Sequence, residues 1–349
     1  MTRLTCALGP DSAGTLLHRF VGAASSRLDV AVYEVGPSYG WMFPRAVERG
    51  VAVRLLLDAH GGDNRGCLDE LRAAAARGVR VPCRLVHHSG LREAHWKLVV
   101  ADSAALAVGT GNLIARDAPA DRHGLLPPQA APLAGTREWW AFVDGAPTLA
   151  AAARAHFTAA WRGAVAPPPL WAVEEAPEAP PIGAPVPAVA PLELELPARR
   201  LGLTVEARAV RATIEAMLDA GTRRCLVVVP YIHAWAHEVR PLVDRLAELA
   251  REGADVRVLL GQPPTGGDAA ALTDRRIPAR VMDPARSTTG HAKGVVTDRS
   301  VLVTSANWSA AGLGWSLESG LRIDHDAAAS YYGDAFERDW DTAVDPGDG

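Results

Sequence analysis

Apolar and polar positions run through the same order twice along this chain. A β-branched run from Leu28, LDVAVYEVG, has a counterpart from Cys225, CLVVVPYIH. A helix-like stretch follows each. Residues 49–57 (RGVAVRLLL) and 252–260 (EGADVRVLL) then each read as a helix end, a glycine stop and a buried strand. The repeat continues in residues 93–112 (EAHWKLVVADSAALAVGTGN) and 290–307 (GHAKGVVTDRSVLVTSAN). Each reads as a strand, a tight turn at an aspartate and a second strand. Residues 137–144 and 317–324 add a further strand to each half. Each half closes on a helix carrying Phe-x-x-x-Trp, Phe157 with Trp161 and Phe336 with Trp340. That spacing puts both rings on one helical face, as packing against a sheet requires. Strands alternating with helices predict an α/β fold of two similar lobes. Each lobe is a mixed β-sheet flanked by helices, and a pseudo-twofold axis relates them.

Between the repeats the pattern stops. Residues 163–197, GAVAPPPLWAVEEAPEAPPIGAPVPAVAPLELELP, are dense in proline and alanine. Proline fixes φ and donates no amide proton, so a regular helix or an inner strand is excluded and an extended linker is expected. The predicted organisation is a first lobe over 1–162, a linker over 163–199 and a second lobe over 200–343. A shorter Pro/Ala-rich stretch between Asn112 and Gly135 predicts a surface loop beside the first motif. Trp139 and Trp140 are adjacent on a strand and alternate faces, so one ring is expected outward.

Composition adds bounds. At 349 residues the chain can bury two cores without disulfides. Cys6, Cys67, Cys83 and Cys225 are scattered, without metal-ligand spacing, and read as small apolar fillers. No leader of charged-then-apolar design opens the sequence, and no run nears the roughly 18 apolar residues of a membrane span. A cytoplasmic monomer is expected, at most peripheral to a membrane. The formal net charge of -4 weighs against a dedicated nucleic-acid binder.

The chemistry sits in the repeated hairpins. The first carries His95-x-Lys97-x4-Asp102, then Thr110-x-Asn112; the second carries His291-x-Lys293-x4-Asp298, then Ser305-x-Asn307. Residues i and i+2 of a strand share a face, so each His and its Lys project together. Two such sets on two similar lobes predict one site between the lobes with the histidines facing each other. A neutral imidazole can attack phosphorus, and a second, protonated imidazole can protonate the leaving oxygen. Lysine and asparagine donors can hold the charged transition state, so neither a metal nor a cofactor is required. His87-His88 lacks ligand partners at metal spacing and reads as a loop or strand end. Gly61-Gly62-Asp63 and Gly266-Gly267-Asp268 read as turns. Tyr231, His233 and Trp235 follow a buried strand and are candidates to line the cleft.

The paired His-x-Lys-x4-Asp motifs, each followed by a hydroxyl-x-Asn turn, resemble those of the phospholipase D superfamily over both halves of the chain. The resemblance implies two phospholipase D-like lobes and phosphodiester cleavage or transfer through a covalent phosphohistidine. It implies His95 and His291 as nucleophile and general acid/base, leaning to His95 as nucleophile. Lys97, Lys293, Asn112 and Asn307 would bind phosphate, and Glu138 and Glu318 would orient the histidines. Asp102 and Asp298, with Thr110 and Ser305, are expected to be structural. The second motif departs from the pattern: Thr304 stands where Gly109 stands in the first, and its hairpin is one residue shorter. A glycerophospholipid is the expected substrate, with DNA or RNA as the alternative. Lysines are few, which disfavours a nucleic-acid path. A membrane-anchored cardiolipin-synthase-like transferase and a non-catalytic phosphate-binding module are the less favoured readings.

Overall fold

The protein is described from a computed structural model over residues 1–87, 93–119, 135–164, 189–264, 267–283 and 290–346. His88, Gly266, most of the 113–135 loop and residues 165–188 of the expected linker lie outside the described residues.

Two mixed sheets form. The first holds β1 (Thr2–Gly9), β2 (Arg27–Val32), β3 (Ala52–Asp58), β4 (Cys83–Val86), β5 (Lys97–Ala101), β6 (Ala105–Gly109), β7 (Glu138–Asp144) and β8 (Leu192–Leu196). The second holds β9 (Leu201–Val205), β10 (Arg224–Val229), β11 (Asp255–Leu260), β12 (Ala279–Val281), β13 (Gly294–Val296), β14 (Ser300–Thr304) and β15 (Ser319–Asp324). Their orders are β4-β3-β2-β5-β6-β7-β1-β8 and β12-β11-β10-β13-β14-β15-β9. Apart from β8 the two orders coincide strand for strand. In both, three parallel strands meet an antiparallel meander that starts at the motif hairpin.

β8 corrects the linker expectation. Residues 192–196 (LELEL) pair antiparallel with β1 as the edge strand of the first sheet. The run lies beyond the last proline-rich stretch and alternates apolar with charged residues, which suits an edge with one wet face.

The strand pattern follows side-chain alternation. In β2, Val30 and Val32 pack into a core of the first lobe while Ala31 faces a different core. That second core is shared. It takes Leu98, Val108, Trp139 and Phe157 from the first lobe and Val228, Val303, Leu321 and Phe336 from the second. A third core belongs to the second lobe alone. The helices before β3 and β11 end on Gly50 (φ 90°) and Gly253 (φ 91°), left-handed positions that favour glycine. Phe157 and Trp161 stack at 5.7 Å, and Phe336 and Trp340 at 5.6 Å. Arg54 of β3 and its repeat equivalent Arg257 of β11 lie over those ring pairs. All four cysteines are free. Among the described residues, no helix is long and apolar enough to cross a membrane.

Both tryptophans of β7 are buried, so neither ring is outward. Trp140 faces the first lobe's own core. Trp139 enters the shared core, 4.9 Å from Tyr332, whose hydroxyl donates to the Trp140 carbonyl at 2.6 Å. The strand alternates faces as expected, but its outer face meets the other lobe rather than solvent. Trp139 also lies against Gly294, where any Cβ would collide with the indole. We expect Gly294→Ala to lose roughly 1–3 kcal/mol in denaturant unfolding. Gly202→Ala in β9 is the control, because its Cβ would meet only Arg322 at 3.7 Å.

Candidate active site

The motif hairpins place the site. Asp102 occupies a left-handed turn (φ 48°) and accepts from the backbone N–H groups of Ser25, Ser26 and Arg27. Asp298 accepts from Thr222 Oγ1 and the Arg223 N–H. Each aspartate therefore ties its turn to the segment entering β2 or β10, away from the histidines. The one-residue difference is confined to these turns. Asp102, Ser103 and Ala104 join Ala101 to Ala105, whereas Asp298 and Arg299 suffice after Thr297, whose N–H donates to the Ser300 carbonyl at 2.8 Å. Leu98 faces Val108 and Gly294 faces Val303, so Asn112 and Asn307 emerge from equivalent places.

The missing glycine of the second motif has a packing cause. Gly109 pairs across the sheet with Trp140, whose ring fills the space a Cβ would need. In the second lobe the large and small partners are exchanged, and Thr304 pairs with Gly320.

Regular strand begins only at Lys97 and Gly294, so His95, His291 and Lys293 stand on the approach to their strands. Those approaches are stitched across the seam: the His291 N–H donates to the Arg137 carbonyl at 3.1 Å, and the Leu317 N–H to the Glu93 carbonyl at 2.7 Å. Arg137 is itself buried, in ion pairs with Asp11 at 3.2 Å and Asp339 of the other lobe at 3.0 Å.

Because of this stitching, the glutamates reach across. His95 Nδ1 lies 3.2 and 3.1 Å from the two oxygens of Glu318, and His291 Nδ1 lies 2.6 Å from Glu138 Oε1. Each histidine is thus held by the other lobe's glutamate. Each glutamate is held in turn by a hydroxyl of its own lobe, Thr110 for Glu138 and Ser305 for Glu318. Those hydroxyls accept from the Trp139 and Ser319 N–H groups, both at 2.9 Å. A donating Nδ1–H leaves Nε2 as the free nitrogen of the neutral ring.

Lys97 and Lys293 are the only lysines in the chain. Both are fully buried. Lys97 Nζ donates to the His95 carbonyl at 2.9 Å, and Lys293 Nζ to the carbonyls of His291 at 2.6 Å and Thr110 at 3.2 Å. Among the described residues neither forms an ion pair with a carboxylate. Burial lowers Lys97 to about 8 and Lys293 to about 7. Burial and Lys97 hold His95 below its ordinary value, against the pull of Glu318. Burial and Lys293 push His291 well below its ordinary value, with Asp117 pulling the other way. Burial raises Glu138 to about 7.

The asparagines take different partners. Asn112 Nδ2 faces Glu34 Oε2 at 3.5 Å, and Asn307 Nδ2 faces the Tyr231 hydroxyl at 3.1 Å. The Asn112 N–H donates to Asp117 at 2.9 Å. Asp117, Glu138 and His291 bring one ligand atom each within 4.8 Å of one another. His291 bonds Glu138, Glu138 also accepts from Thr110, and Asp117 accepts from the Asn112 N–H, so each of the three already has a protein partner. Sequence reasoning passed over Glu34, Asp117 and Arg137. Glu34 carried a readable signal, as a carboxylate placed directly after an apolar strand.

Comparison with known proteins agrees with this architecture. The family described as "Cardiolipin synthase, PLD-like domain" matches residues 214–340. Residues 214–340, which hold the second motif, are thus a phospholipase D-like domain by sequence. The fold is similar to that of phosphatidylserine synthase from Haemophilus influenzae Rd KW20. The TM-score is 0.63 at 14% identity, over 97% of this chain and 85% of that one. It is also similar to polyphosphate kinase from Porphyromonas gingivalis, with a TM-score of 0.60 at 12% identity over 97% of this chain. This chain covers half the length of that kinase, 50%. No curated protein matches the sequence. The crossed His–Glu pairs and the two lysines lie together where the two lobes meet.

An arriving phosphate-like anion should restore the lysine charges that burial suppresses. Above about pH 8 the free protein has shed protons that the complex keeps. Calorimetric titration with orthovanadate at pH 8, in buffers of different ionisation enthalpy, is expected to show net proton uptake. Zero uptake would mean that both lysines are charged in the free protein.

Proposed function

We propose that this cleft hydrolyses a phosphodiester, or transfers its phosphoryl group to another alcohol, through a covalent phosphohistidine. The observation that carries the reading is the pair of buried lysines that, among the described residues, form no direct ion pair with a carboxylate, beside two glutamate-held histidines. Burying an ammonium group without a counter-ion is costly, so such a pair is suited to an anion supplied by substrate.

One histidine attacks phosphorus through its free Nε2, its Nδ1–H anchored on the opposite glutamate. The P–O bond to the leaving group breaks as the N–P bond forms. The other histidine, protonated, gives its proton to the leaving oxygen and becomes the base that deprotonates water or an alcohol. That oxygen then attacks the phosphohistidine and expels the first imidazole. The low proton affinity of both imidazoles in the empty site favours the neutral nucleophile. Arrival of a negative phosphate raises both, and so supplies the protonated partner. Lys97, Lys293, Asn112 and Asn307 hold the phosphoryl oxygens, and Glu138 and Glu318 are positioning residues. Either histidine can take either role in this geometry.

The substrate class we favour is a glycerophospholipid, cleaved at its head group at a membrane surface. Its support is the acidic overall charge together with Glu34 and Asp117 beside the lysines. Both would oppose the neighbouring phosphates of a nucleic-acid strand.

With EDTA present, His95→Ala and His291→Ala are each expected to lose roughly 10³-fold or more in kcat on phosphatidylcholine vesicles. DNA cleavage with the same losses would move the protein to the nuclease reading, and full activity in either variant would overturn the mechanism. Lys97→Arg keeps the charge but places a planar, permanently protonated fork in a cavity shaped for an ammonium group. We expect at least a roughly 10²-fold loss from it, set by positioning of the phosphoryl group.

A further inference from the structure

The two half-sites differ at one matched position. The bridges Val35–Leu113 and Ile232–Trp308 are equivalent in the two lobes. The residues just before Val35 and Ile232, Glu34 and Tyr231, therefore occupy the same place, and each partners its own lobe's motif asparagine. A phenol can donate to or accept from an amide, so Asn307 is free to present either end of its side chain. A carboxylate accepts only. Glu34 therefore fixes Asn112 with one Nδ2 hydrogen turned toward it, which leaves the other for a phosphoryl oxygen.

The consequence lies on the other end of that amide. Asn112 is 6% exposed, and its Oδ1 is buried without a hydrogen-bond partner, as is Asn307 Oδ1; only the first lobe adds a carboxylate at the matched position. Two residues earlier, the Thr110 carbonyl already receives Lys293 Nζ. Glu34 Oε1 accepts from the Gly62 N–H at 2.8 Å, which leaves the longer, 3.5 Å contact to Asn112 at Oε2. A phosphodiester's own oxygens are acceptors and gain nothing from another acceptor. The first lobe's acceptors therefore suit a donor on a substituent of the phosphorus.

We infer that Glu34 is a specificity-determining residue, forming with the Asn112 carbonyl an acceptor pair that receives a primary ammonium group on one substituent of the phosphodiester. The inference rests on the phosphodiesterase reading above. Charge favours ammonium over a neutral hydroxyl. Glu34, Asp63 and Asp117 gather here against Arg116, and burial with Asp63 raises the Glu34 carboxyl above its ordinary range. A cation relieves that crowding. Tyr231 itself carries no matching charge, and the carboxylates that act on it, Glu93 and Glu318, do not bond its asparagine among the described residues.

The test compares four diesters in detergent micelles: phosphatidylethanolamine, phosphatidylcholine, phosphatidylglycerol and bis(p-nitrophenyl) phosphate. They offer, in turn, charge with donors, charge without donors, donors without charge, and neither. Wild type is expected to prefer the ethanolamine ester in kcat/KM. Glu34→Gln keeps the shape and should shrink the ethanolamine-to-glycerol ratio roughly tenfold or more, the scale of a charged hydrogen bond. Glu34→Asp should fall between the two. Tyr231→Phe, the matching change in the other lobe, should lower both esters by a similar factor. An unchanged ratio in Glu34→Gln, or a wild type indifferent to the ammonium group, would overturn the assignment while leaving phosphodiesterase activity intact. Wild type that turns over none of the four would remove the phosphodiesterase reading, and this inference with it.

Discussion

Each motif histidine is held by a glutamate that belongs to the other lobe, and the rest of the molecule is arranged around that exchange. A glutamate on β7 can meet His291 only if the two sheets share a core thick enough to set their spacing. Trp139, Tyr332 and the aliphatic residues of both inner faces supply it. The strand-like bonds at Arg137 and Leu317 then fix the height at which each histidine meets its partner. Neither lobe alone contains a complete histidine–glutamate pair, so the site and the lobe interface are one structure. A change in the shared core reaches the imidazoles through β7 and β15 without touching them.

The repeat was legible because its elements rest on local patterns. Two β-branched runs, two glycine stops and two hairpins of matching composition needed no long-range information, and both sheets follow them in the same order. The equivalence of Glu138 and Glu318 was legible for the same reason. Their crossing was not, since nothing in a linear pattern says which lobe a side chain faces once the strands are stacked. The same gap explains the tryptophans: alternation correctly put Trp139 and Trp140 on opposite faces, but the second face is covered by the other lobe. β8 was hidden differently, by its continuity with a proline-rich stretch whose composition dominated the reading.

Departures from exact repetition also became intelligible only in three dimensions. Replacement of a motif glycine by Thr304 looks like damage when one strand is read alone. Across the sheet it is an exchange of volumes, Gly109 with Trp140 in one lobe and Thr304 with Gly320 in the other. Gly294 beneath Trp139 shows the same logic across the lobe seam. Cores conserve filled volume, so a twofold repeat can shed sequence symmetry in pairs of positions while its backbone symmetry persists.

The absence of lysine elsewhere sharpens the meaning of these two. Apart from histidine, every other basic side chain is arginine, including those stacked on Trp161 and Trp340 and those paired with buried aspartates. Arginine serves such places well because its plane stacks and its fork pairs with carboxylates. It holds its proton in nearly any environment. A site that is emptied and refilled with negative charge at each turnover benefits from a cation that can give up its proton when alone and recover it when substrate arrives. Lysine can do this and arginine cannot. Burial lowers Lys97 to about 8 and Lys293 to about 7, within reach of neutral pH, so a nearby negative charge can change how fully each is protonated.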